Sequence, residues 1–397
     1  MNNNKNINTN ILFYTPFQVS ERQGGTERVT ARVSEGLRKL GYRCYSAFSI
    51  SVDSNLPLVE FDGVANLSEA SVSEVLVRWD IDIVIVQTMT RKLKQLSELV
   101  QMCNKKIVIV SVLHFNPGFE EQRLSYKTFI GSLAGKGRMC QIFGFLLYPI
   151  YKAVYPRRNR ELYRTVYKYS DRVVVLASSF IEEYANYAEL GKIDKLISIP
   201  NPLSYDNFLV EEELAEKKHQ VLMVCRLDEV QKRVSLALNV WKEIEQSSSF
   251  SGWKFKIVGD GTDRDALQQY AKSLGLQRVE FCGNQDPISY YKESMLFLMT
   301  SLYEGWGVTL TEAQQFGCVP VAFDTYSSLH DIIQNGENGL IVPETDIKEY
   351  TNSLKGLMSD EAKWRIFAQR SIMTSHRFEL RNIVGQWDNL IGSLLPK

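Results

Sequence analysis

Short apolar runs alternate with amphipathic stretches along the whole chain. Runs that predict buried strands occupy residues 11–17, 42–50, 82–88, 106–114, 172–178 and 196–200 in the first half, and 219–227, 253–261, 279–283, 295–301, 319–324 and 339–343 in the second. Continuous apolar strands separated by helices are typical of parallel sheets with both faces covered. The pattern therefore predicts an α/β protein with two doubly wound parallel sheets.

The strand series is interrupted at residues 201–218, where "NPLSYDNF" is followed by the acidic "EEELAEKK". We place a domain boundary there, which gives a first domain over 1–205 and a second over 206–375. The last stretch, 376–397, is amphipathic and predicts a helix that crosses back to the first domain. Ligands of such sheets bind beyond the carboxyl ends of the strands, so two facing domains are expected to enclose a cleft.

Composition narrows the functional classes. The 46 basic and 46 acidic residues balance, which argues against a dedicated nucleic-acid binder, and we expect no nucleic-acid partner. The six cysteines are scattered without a CxxC pair, as is typical of reduced thiols in a cytosolic protein. The polar N-terminus lacks a signal-peptide pattern, and the apolar segment 142–155 is too short to span a bilayer. We therefore expect a cytoplasmic protein.

Candidate ligand contacts in the first half follow predicted strands. "QGGTER" places Gly24 and Gly25 at the start of a helix, where a backbone can approach a phosphate or sugar closely. A plain turn with a helix cap is an equally good interpretation of these glycines. His114 follows the fourth predicted strand, where it is either a ligand contact or a hydrogen-bonded strand-end histidine.

Charged residues and glycines follow the strands of the second half. Arg226 and Lys232, in "CRLDEVQKR", could neutralise a diphosphate, although a solvated helix start explains them as well. "VGDG" places Gly259 in a tight turn, which is structural in many such units. "EGWGVTLTEA" sets Glu304 in a glycine-flanked loop and Glu312 eight residues later in a helix. The backbone N–H groups at that helix start point to where a phosphate could lie.

The order and spacing of these features resemble those of the retaining GT-B glycosyltransferases of family 4, named for their Glu-x7-Glu motif. The resemblance covers nearly the whole chain and is strongest over 226–343, which includes "FGCVPVAFD" and "NGENGLIVP". It is closest to the branch that builds bacterial exopolysaccharide and O-antigen repeats. The resemblance implies a GT-B fold, with two Rossmann-like domains that face each other across a cleft. The first domain would bind the acceptor, and the second would bind a nucleotide sugar.

The resemblance also implies roles for individual residues. Glu304 would contact hydroxyls of the transferred sugar, and Glu312 would accept hydrogen bonds from the ribose. Arg226 and Lys232 would hold the diphosphate with help from the Gly24–Gly25 loop. The catalytic residues would thus be Glu304, Lys232, Arg226 and His114, and His114 would lie on the acceptor side of the sugar. The remaining nucleotide-binding positions would be Gly259, Gly283, Asn284, Gly305, Trp306, Gly307 and Val308.

Three features depart from the family pattern. The gap from Arg226 to Lys232 is one residue longer than the commonest family spacing. Trp306 replaces the usual phenylalanine. "YSSLHDII", residues 326–333, stands where relatives often carry a glycine-rich turn followed by a glutamate. Because that region borders the sugar in the family, the sugar preference of this chain stays open.

The predicted mechanism follows from charge. Cleaving a sugar–phosphate bond leaves negative charge on the diphosphate, which fixed cations and a helix N-terminus stabilise by about 3 kcal/mol per donor. We therefore expect no metal ion and no cofactor. An Asp-x-Asp pair, Asp80 and Asp82, binds metal in other glycosyltransferases, but here it precedes a strand at the end away from the cleft. No side chain is an obvious nucleophile, so retention would rely on the leaving phosphate as base.

Residues 123–168 form a basic and aromatic stretch, with ten Lys or Arg residues and one acidic residue. Such a composition favours contact with an anionic membrane surface. A polyprenyl-diphosphate-linked acceptor would place the enzyme at the inner face of the cytoplasmic membrane. Two alternatives remain open: a solvated helical face whose aromatic residues fill the core, and a site for the acceptor's own diphosphate.

The sequence thus predicts a retaining, metal-independent glycosyltransferase that moves a hexose, most plausibly from a UDP sugar, to a glycan or lipid-linked acceptor. Two alternatives are a nucleotide-sugar epimerase on the same fold and a catalytically silent subunit that binds a sugar nucleotide. A dinucleotide oxidoreductase is disfavoured because no Gly-x-Gly-x-x-Gly follows the first strand.

Overall fold

The computed structural model describes residues 9–20, 24–51, 58–124, 126, 129 and 138–395. The chain divides into two compact units, Met1–Pro202 with Leu380–Lys397, and Leu203–Glu379. Each unit contains one parallel sheet with helices, so the predicted pair of Rossmann-like α/β sheets is confirmed. Gln23 of the glycine turn and residues 125, 127–128 and 130–137 of the basic stretch lie outside the described residues.

The first unit has a seven-stranded sheet in the order β3-β2-β1-β4-β5-β6-β7, in which every paired strand is parallel. Its strands are β1 (Asn10–Phe17), β2 (Arg43–Ile50), β3 (Gly63–Asn66), β4 (Ile83–Val86), β5 (Val108–Val112), β6 (Arg172–Val175) and β7 (Leu196–Ser198). Its helices are α1 (Gly25–Lys39), α2 (Val72–Arg78), α3 (Leu93–Gln101), α4 (Phe119–Gln122), α5 (Arg138–Tyr169) and α6 (Ser179–Ala188).

The second unit has a six-stranded parallel sheet in the order β10-β9-β8-β11-β12-β13. Its strands are β8 (Lys218–Val224), β9 (Lys254–Val258), β10 (Val279–Gly283), β11 (Ser294–Met299), β12 (Val319–Asp324) and β13 (Leu340–Pro343). Its helices are α7 (Glu229–Lys232), α8 (Val234–Glu245), α9 (Arg264–Ser273), α10 (Ile288–Glu293), α11 (Val308–Gln315), α12 (Ser328–Ile332), α13 (Ile347–Ser359) and α14 (Glu361–Ser375).

The central strands are buried on both faces, as their apolar runs require. All four residues of β4 and all five of β5 are buried, and so are the six residues of β11. The pattern missed one strand, β3, because its four residues "GVAN" at the sheet edge form no apolar run. Several predicted runs also extend beyond the carboxyl end of their strand, since the loop residues that follow are buried as well.

The C-terminal helix α15 (Leu380–Leu394) packs on α1 of the first unit. Gly36 on α1 permits this close approach, because a Cβ there would lie 2.3 Å from a methyl group of Val384. The Tyr42 hydroxyl donates a 2.6 Å hydrogen bond to Asp388 on α15. Trp387, also on α15, is 4% exposed.

Within the part of the chain that the structure describes, every helix falls short of the length and apolar character that crossing a bilayer requires.

Candidate active site

The sheet of the second unit has its switch point between β8 and β11. From β8 the chain continues to β9 and β10 on one side, whereas β11, β12 and β13 extend the sheet on the other. Loops that leave neighbouring strands at such a point diverge and open a crevice at the carboxyl ends. Lys232 follows β8 and Glu304 follows β11, so these two predicted residues lie on opposite sides of the switch point.

The structure joins these residues in one hydrogen-bonded cluster. The Lys232 ammonium forms a salt bridge with Oε1 of Glu304, and their side chains are only 16% and 11% exposed. The Gln231 amide donates to Oε2 of Glu304 at 3.5 Å and to the Tyr303 carbonyl at 3.2 Å. Arg226 donates to the Gln231 amide oxygen at 3.2 Å. Both predicted cations are therefore linked to Glu304, one directly and one through Gln231.

The backbone around Lys232 is fixed by an unusual turn at Arg233. Arg233 has a φ of 47°, a left-handed conformation that ends the short helix α7 and starts α8. Its guanidinium donates to the Thr300 carbonyl at 2.9 Å, and the Thr300 hydroxyl donates back to the Lys232 carbonyl at 2.7 Å. These reciprocal bonds tie the loop after β8 to the loop after β11, and they keep Lys232 beside Glu304.

Helix α11 begins at the predicted glycine-rich loop. Gly307 has a φ of 77° and directly precedes Val308, the first helical residue, without a side-chain cap for the first turn. The N–H of Leu310 is bonded to the Gly307 carbonyl at 2.8 Å, which leaves those of Val308 and Thr309 to serve a ligand, and the helix dipole favours an anion there. Gly305 is buried, and Trp306 is 3% exposed with an indole N–H that has no hydrogen-bond partner among the described residues.

Glu312 lies on the second turn of α11 and is fully buried. Its Oε2 accepts a 2.8 Å hydrogen bond from the Tyr291 hydroxyl of α10, which is also buried. A carboxylate in such surroundings needs hydrogen-bond donors to offset its desolvation. The structure thus places Glu312 on the helix that starts at Gly307, with one of its oxygens already bonded to the protein.

Gly259 and Gly283 follow the adjacent strands β9 and β10. The N–H of Gly259 donates to the Gly283 carbonyl at 2.8 Å, and both residues have positive φ angles, 135° and 75°. A Cβ on Gly259 would lie 1.8 Å from the Cys225 carbonyl oxygen, so this glycine is required by the close approach of two backbones. Asn284 is exposed and continues the line of strand ends from Lys232 towards the sheet edge.

His114 lies in the first unit, after β5, and pairs with Gln87, which follows β4. The ring Nε2 is hydrogen-bonded to the amide Oε1 of Gln87. An amide oxygen only accepts hydrogen bonds, so Nε2 carries the proton and Nδ1 of the neutral ring is an acceptor. Burial lowers the pKa of His114 to about 4, and the imidazole is therefore neutral at neutral pH. It can orient a hydroxyl but brings no positive charge.

Gly24 and Gly25 stand at the N-terminus of α1, also in the first unit. Apart from its chain neighbours and its own helix backbone, no atom of the described residues lies within 4 Å of a Cβ built on Gly25. A Cβ on Gly24 would lie 2.7 Å from a carboxylate oxygen of Glu27.

The Asp-x-Asp pair precedes β4, as expected. Lys105 lies 2.6 Å from Asp80 and 3.0 Å from Asp82, and Asp82 also accepts the Asn10 N–H at 2.8 Å. These contacts join the ends of strands and give both carboxylates a structural role. Among the residues that the structure describes, no group of three or more His, Cys, Asp or Glu side chains is arranged to hold a metal ion.

Sequence reasoning missed three polar residues of these clusters: Gln87, Gln231 and Tyr326. All three lie at or beyond the carboxyl ends of strands β4, β8 and β12. Position after a strand is also the criterion that selected His114 and Lys232. They drew no attention because neutral side chains in buried segments carry no charge or motif signal. A systematic list of polar residues after each strand would have found Gln87 and Tyr326.

Comparisons with known proteins bear on this arrangement. Residues 205–372 match the family model described as glycosyl transferases group 1. An uncharacterized glycosyltransferase of Haemophilus influenzae is 24% identical over 375 residues, 93% of this chain and 96% of the relative. An alpha-1,4-N-acetyl-D-galactosaminyltransferase of Campylobacter jejuni, named for a PP-undecaprenol-linked glycan, is 25% identical over 240 residues, 60% of this chain and 65% of the relative.

The fold is shared with solved structures. The crystal structure of the Anabaena protein HepE in complex with UDP-glucose has a TM-score of 0.70 at 17% identity, and the match covers 97% of this chain and 99% of HepE. Residues 205–372 therefore resemble the glycosyl transferases group 1 family, within a chain that has the two-sheet fold of these solved structures.

Proposed function

We propose that this protein is a glycosyltransferase that transfers a hexose from a UDP-linked sugar to a glycan or polyprenyl-diphosphate-linked acceptor in cell-surface polysaccharide assembly. The observation that carries the proposal is the Lys232–Glu304 pair at the switch point of the group 1 domain. HepE, with the same fold, was crystallised with UDP-glucose, and the Campylobacter relative is named for a PP-undecaprenol-linked substrate.

The leaving group would be stabilised by fixed charge and dipoles. Lys232 and Arg226 approach from the loop after β8, and the first turn of α11 supplies backbone N–H groups. As the bond between the anomeric carbon and the phosphate oxygen breaks, its electron pair stays with the diphosphate. Preorganised donors at that point are each worth about 3 kcal/mol. Such an arrangement supports a reaction without a metal ion.

Retention of the anomeric configuration fits the residues at hand. Glu304, the carboxylate nearest this crevice, is held by Lys232 and Gln231, so it is poorly placed to act as a free nucleophile. We propose that the acceptor hydroxyl attacks on the face from which the diphosphate leaves. Its proton passes to an oxygen of the leaving phosphate while the new carbon–oxygen bond forms. Glu304 would accept hydrogen bonds from sugar hydroxyls, and Glu312 from the ribose.

The test is an assay with UDP-, GDP- and ADP-hexoses, with and without EDTA, in the presence of a panel of acceptor glycans. We expect consumption of a UDP-hexose, no effect of EDTA, and a product whose anomeric NMR coupling matches that of the donor. A new sugar nucleotide formed without acceptor would indicate an epimerase. Binding of the donor without any turnover would indicate a silent subunit, and inversion would overturn the proposed mechanism.

On the acceptor side, we propose that helix α5 contacts an anionic membrane surface. Leu147, Ile150 and Val154 are exposed at helical spacing, and Arg157 and Arg158 continue the same stripe. An exposed apolar stripe flanked by cations is what interfacial helices present to lipid. Beside it lies a groove of about 510 Å³ whose lining includes five basic residues and the acidic Glu161. The basic residues are Arg91 and Lys94 near the start of α3, and Arg158, Arg164 and Lys168 of α5.

Co-sedimentation with vesicles that contain phosphatidylglycerol tests the membrane proposal. We expect binding at low salt that weakens as salt rises, and weaker binding for Ile150→Ser. Ile366→Ser is the matched control, because Ile366 on α14 is also exposed, 49% against 62% for Ile150. Equal loss in the two variants, or no binding of the unchanged protein at low salt, would remove the membrane from the proposal.

A further inference from the structure

Tyr326 stands on the side of Glu304 opposite to Lys232. It follows β12, which pairs with β11. The loops after β8, β11 and β12 therefore lie side by side, and they carry Lys232, Glu304 and Tyr326 in that order. The neighbouring Thr325 fixes this loop, because its hydroxyl donates to the Ser301 carbonyl at 2.6 Å.

The Tyr326 hydroxyl is a buried polar group without a partner. Tyr326 is 5% exposed, and its hydroxyl oxygen has no hydrogen-bond partner among the residues that the structure describes. Burial, followed by the charge of Glu304, raises the pKa of this phenol, so its O–H remains a donor. A buried unsatisfied hydroxyl is destabilising, and native proteins rarely keep one without a functional reason.

The start of α11 lies directly beside this hydroxyl. A Cβ built on Gly307 would lie 3.5 Å from the Tyr326 oxygen, which is an ordinary van der Waals distance. The hydroxyl therefore borders the same helix N-terminus at which the proposed function places the donor's diphosphate. A ligand oxygen there can receive the Tyr326 hydrogen together with the helix N–H groups.

We propose that Tyr326 donates a hydrogen bond to the distal phosphate of the nucleotide diphosphate, and that it is a leaving-group contact which the Glu-x7-Glu pattern does not include. The proposal rests on the proposed function, since it needs a nucleotide donor in this crevice. The buried hydroxyl would then donate to a negatively charged phosphate oxygen, and hydrogen bonds to charged acceptors are stronger than those between neutral groups. It also gives residues 326–333, which differ from the family pattern, a role in donor binding.

The test compares nucleoside diphosphates with monophosphates. UDP, GDP and ADP and the matching monophosphates are titrated calorimetrically into the unchanged protein and into Tyr326→Phe. The diphosphate that binds the unchanged protein most tightly is then compared with its own monophosphate. One hydrogen bond to a charged group corresponds to roughly 10- to 100-fold in affinity. We expect that loss for the diphosphate, unchanged affinity for the monophosphate, and a melting temperature of the ligand-free variant that is equal or higher.

Tyr350→Phe is the matched control. Tyr350 is a buried tyrosine of the same unit, but its hydroxyl is bonded to the Val321 carbonyl and to the Met299 N–H. Its removal is expected to lower the melting temperature and to leave the ratio of diphosphate to monophosphate affinity unchanged.

Each other outcome counts against the proposal. Equal losses for diphosphate and monophosphate in Tyr326→Phe, or no loss at all, would overturn the phosphate contact and leave the glycosyltransferase proposal standing. If the unchanged protein binds none of the three nucleoside diphosphates, both proposals fall.

Discussion

Replacing Lys232 with alanine removes the cation that the proposed mechanism needs most. In the ligand-free protein this ammonium is paired with Glu304, and both side chains are largely buried. The variant leaves Glu304 with the Gln231 amide at 3.5 Å. Breaking one partner of a buried pair costs about 3–5 kcal/mol, and the residual exposure of both groups favours the lower value. We expect a loss of about 3 kcal/mol in the free energy of unfolding.

The loss of activity has a separate origin. A preorganised donor for the leaving group contributes a factor of about 100 to 1,000 to turnover. In the alanine variant that donor is absent, and the unpaired Glu304 adds a negative charge near the departing diphosphate. We therefore expect kcat to fall by about 100-fold or more, measured as release of nucleotide diphosphate at saturating donor and acceptor.

Two comparison variants separate these effects. In Lys232→Ala combined with Glu304→Gln, no uncompensated charge remains, so stability should largely return while turnover stays low. Lys256→Ala is the matched control, because Lys256 is a 19% exposed lysine of the same sheet that is paired with Glu280. That control should keep its activity. Near-normal turnover in Lys232→Ala, or activity that returns together with stability in the double variant, would refute the role of Lys232.

Three further predictions address other parts of the chain. Glu312→Gln keeps an acceptor for the Tyr291 hydroxyl but loses the charge, so we expect a raised donor KM with little change in kcat; an unchanged KM in steady-state kinetics would reject the ribose contact. His114, with its pKa near 4 in the folded chain and 6.5 unfolded, should lower the free energy of unfolding by up to about 3 kcal/mol as the pH falls from 6.5 to 4, because only the unfolded imidazole takes up the proton. Urea denaturation at several pH values in that range measures this loss, and the free energy of unfolding of His114→Gln should depend less on pH. Gly259→Ala should destabilise the second unit by more than about 2 kcal/mol through strain and a backbone clash, whereas Gly356→Ala, at an open position within α13, should stabilise it slightly in thermal unfolding.

The elements of the fold were predictable because parallel strands buried on both faces must be apolar throughout. Runs such as "DIVIVQT" and "MLFLMTS" therefore mark β4 and β11 even without an alignment. β3 was not predictable in this way, since an edge strand of four residues has little area to bury. The periodicity also gave no access to strand order, and so it could not show that β8 and β11 are neighbours.

The cluster around Glu304 was predictable only in part for the same reason. The strand-end rule and the family resemblance selected Lys232 and Glu304, but their salt bridge joins residues 72 positions apart in the sequence. Gln231 was hidden in a helical turn, where nothing marks a glutamine as a bridging group. Tyr326 lay in a segment that departs from the family pattern, and a departure says nothing about which atom faces the site.

The Lys232–Glu304 pair also explains how the chain can hold a cation in a half-buried crevice before any substrate arrives. A lone ammonium there would be strongly desolvated, so it requires a counter-charge, and Glu304 provides one. Gln231 holds that carboxylate in place, since its amide is bonded on its other side to Arg226. In the proposed mechanism a diphosphate brings more negative charge than one carboxylate, and Lys232 binds it while keeping its salt bridge with Glu304. Because the ammonium would then stay near its present position, little reorganisation would be needed when the sugar–phosphate bond breaks, and that is the condition under which a buried cation lowers the barrier most.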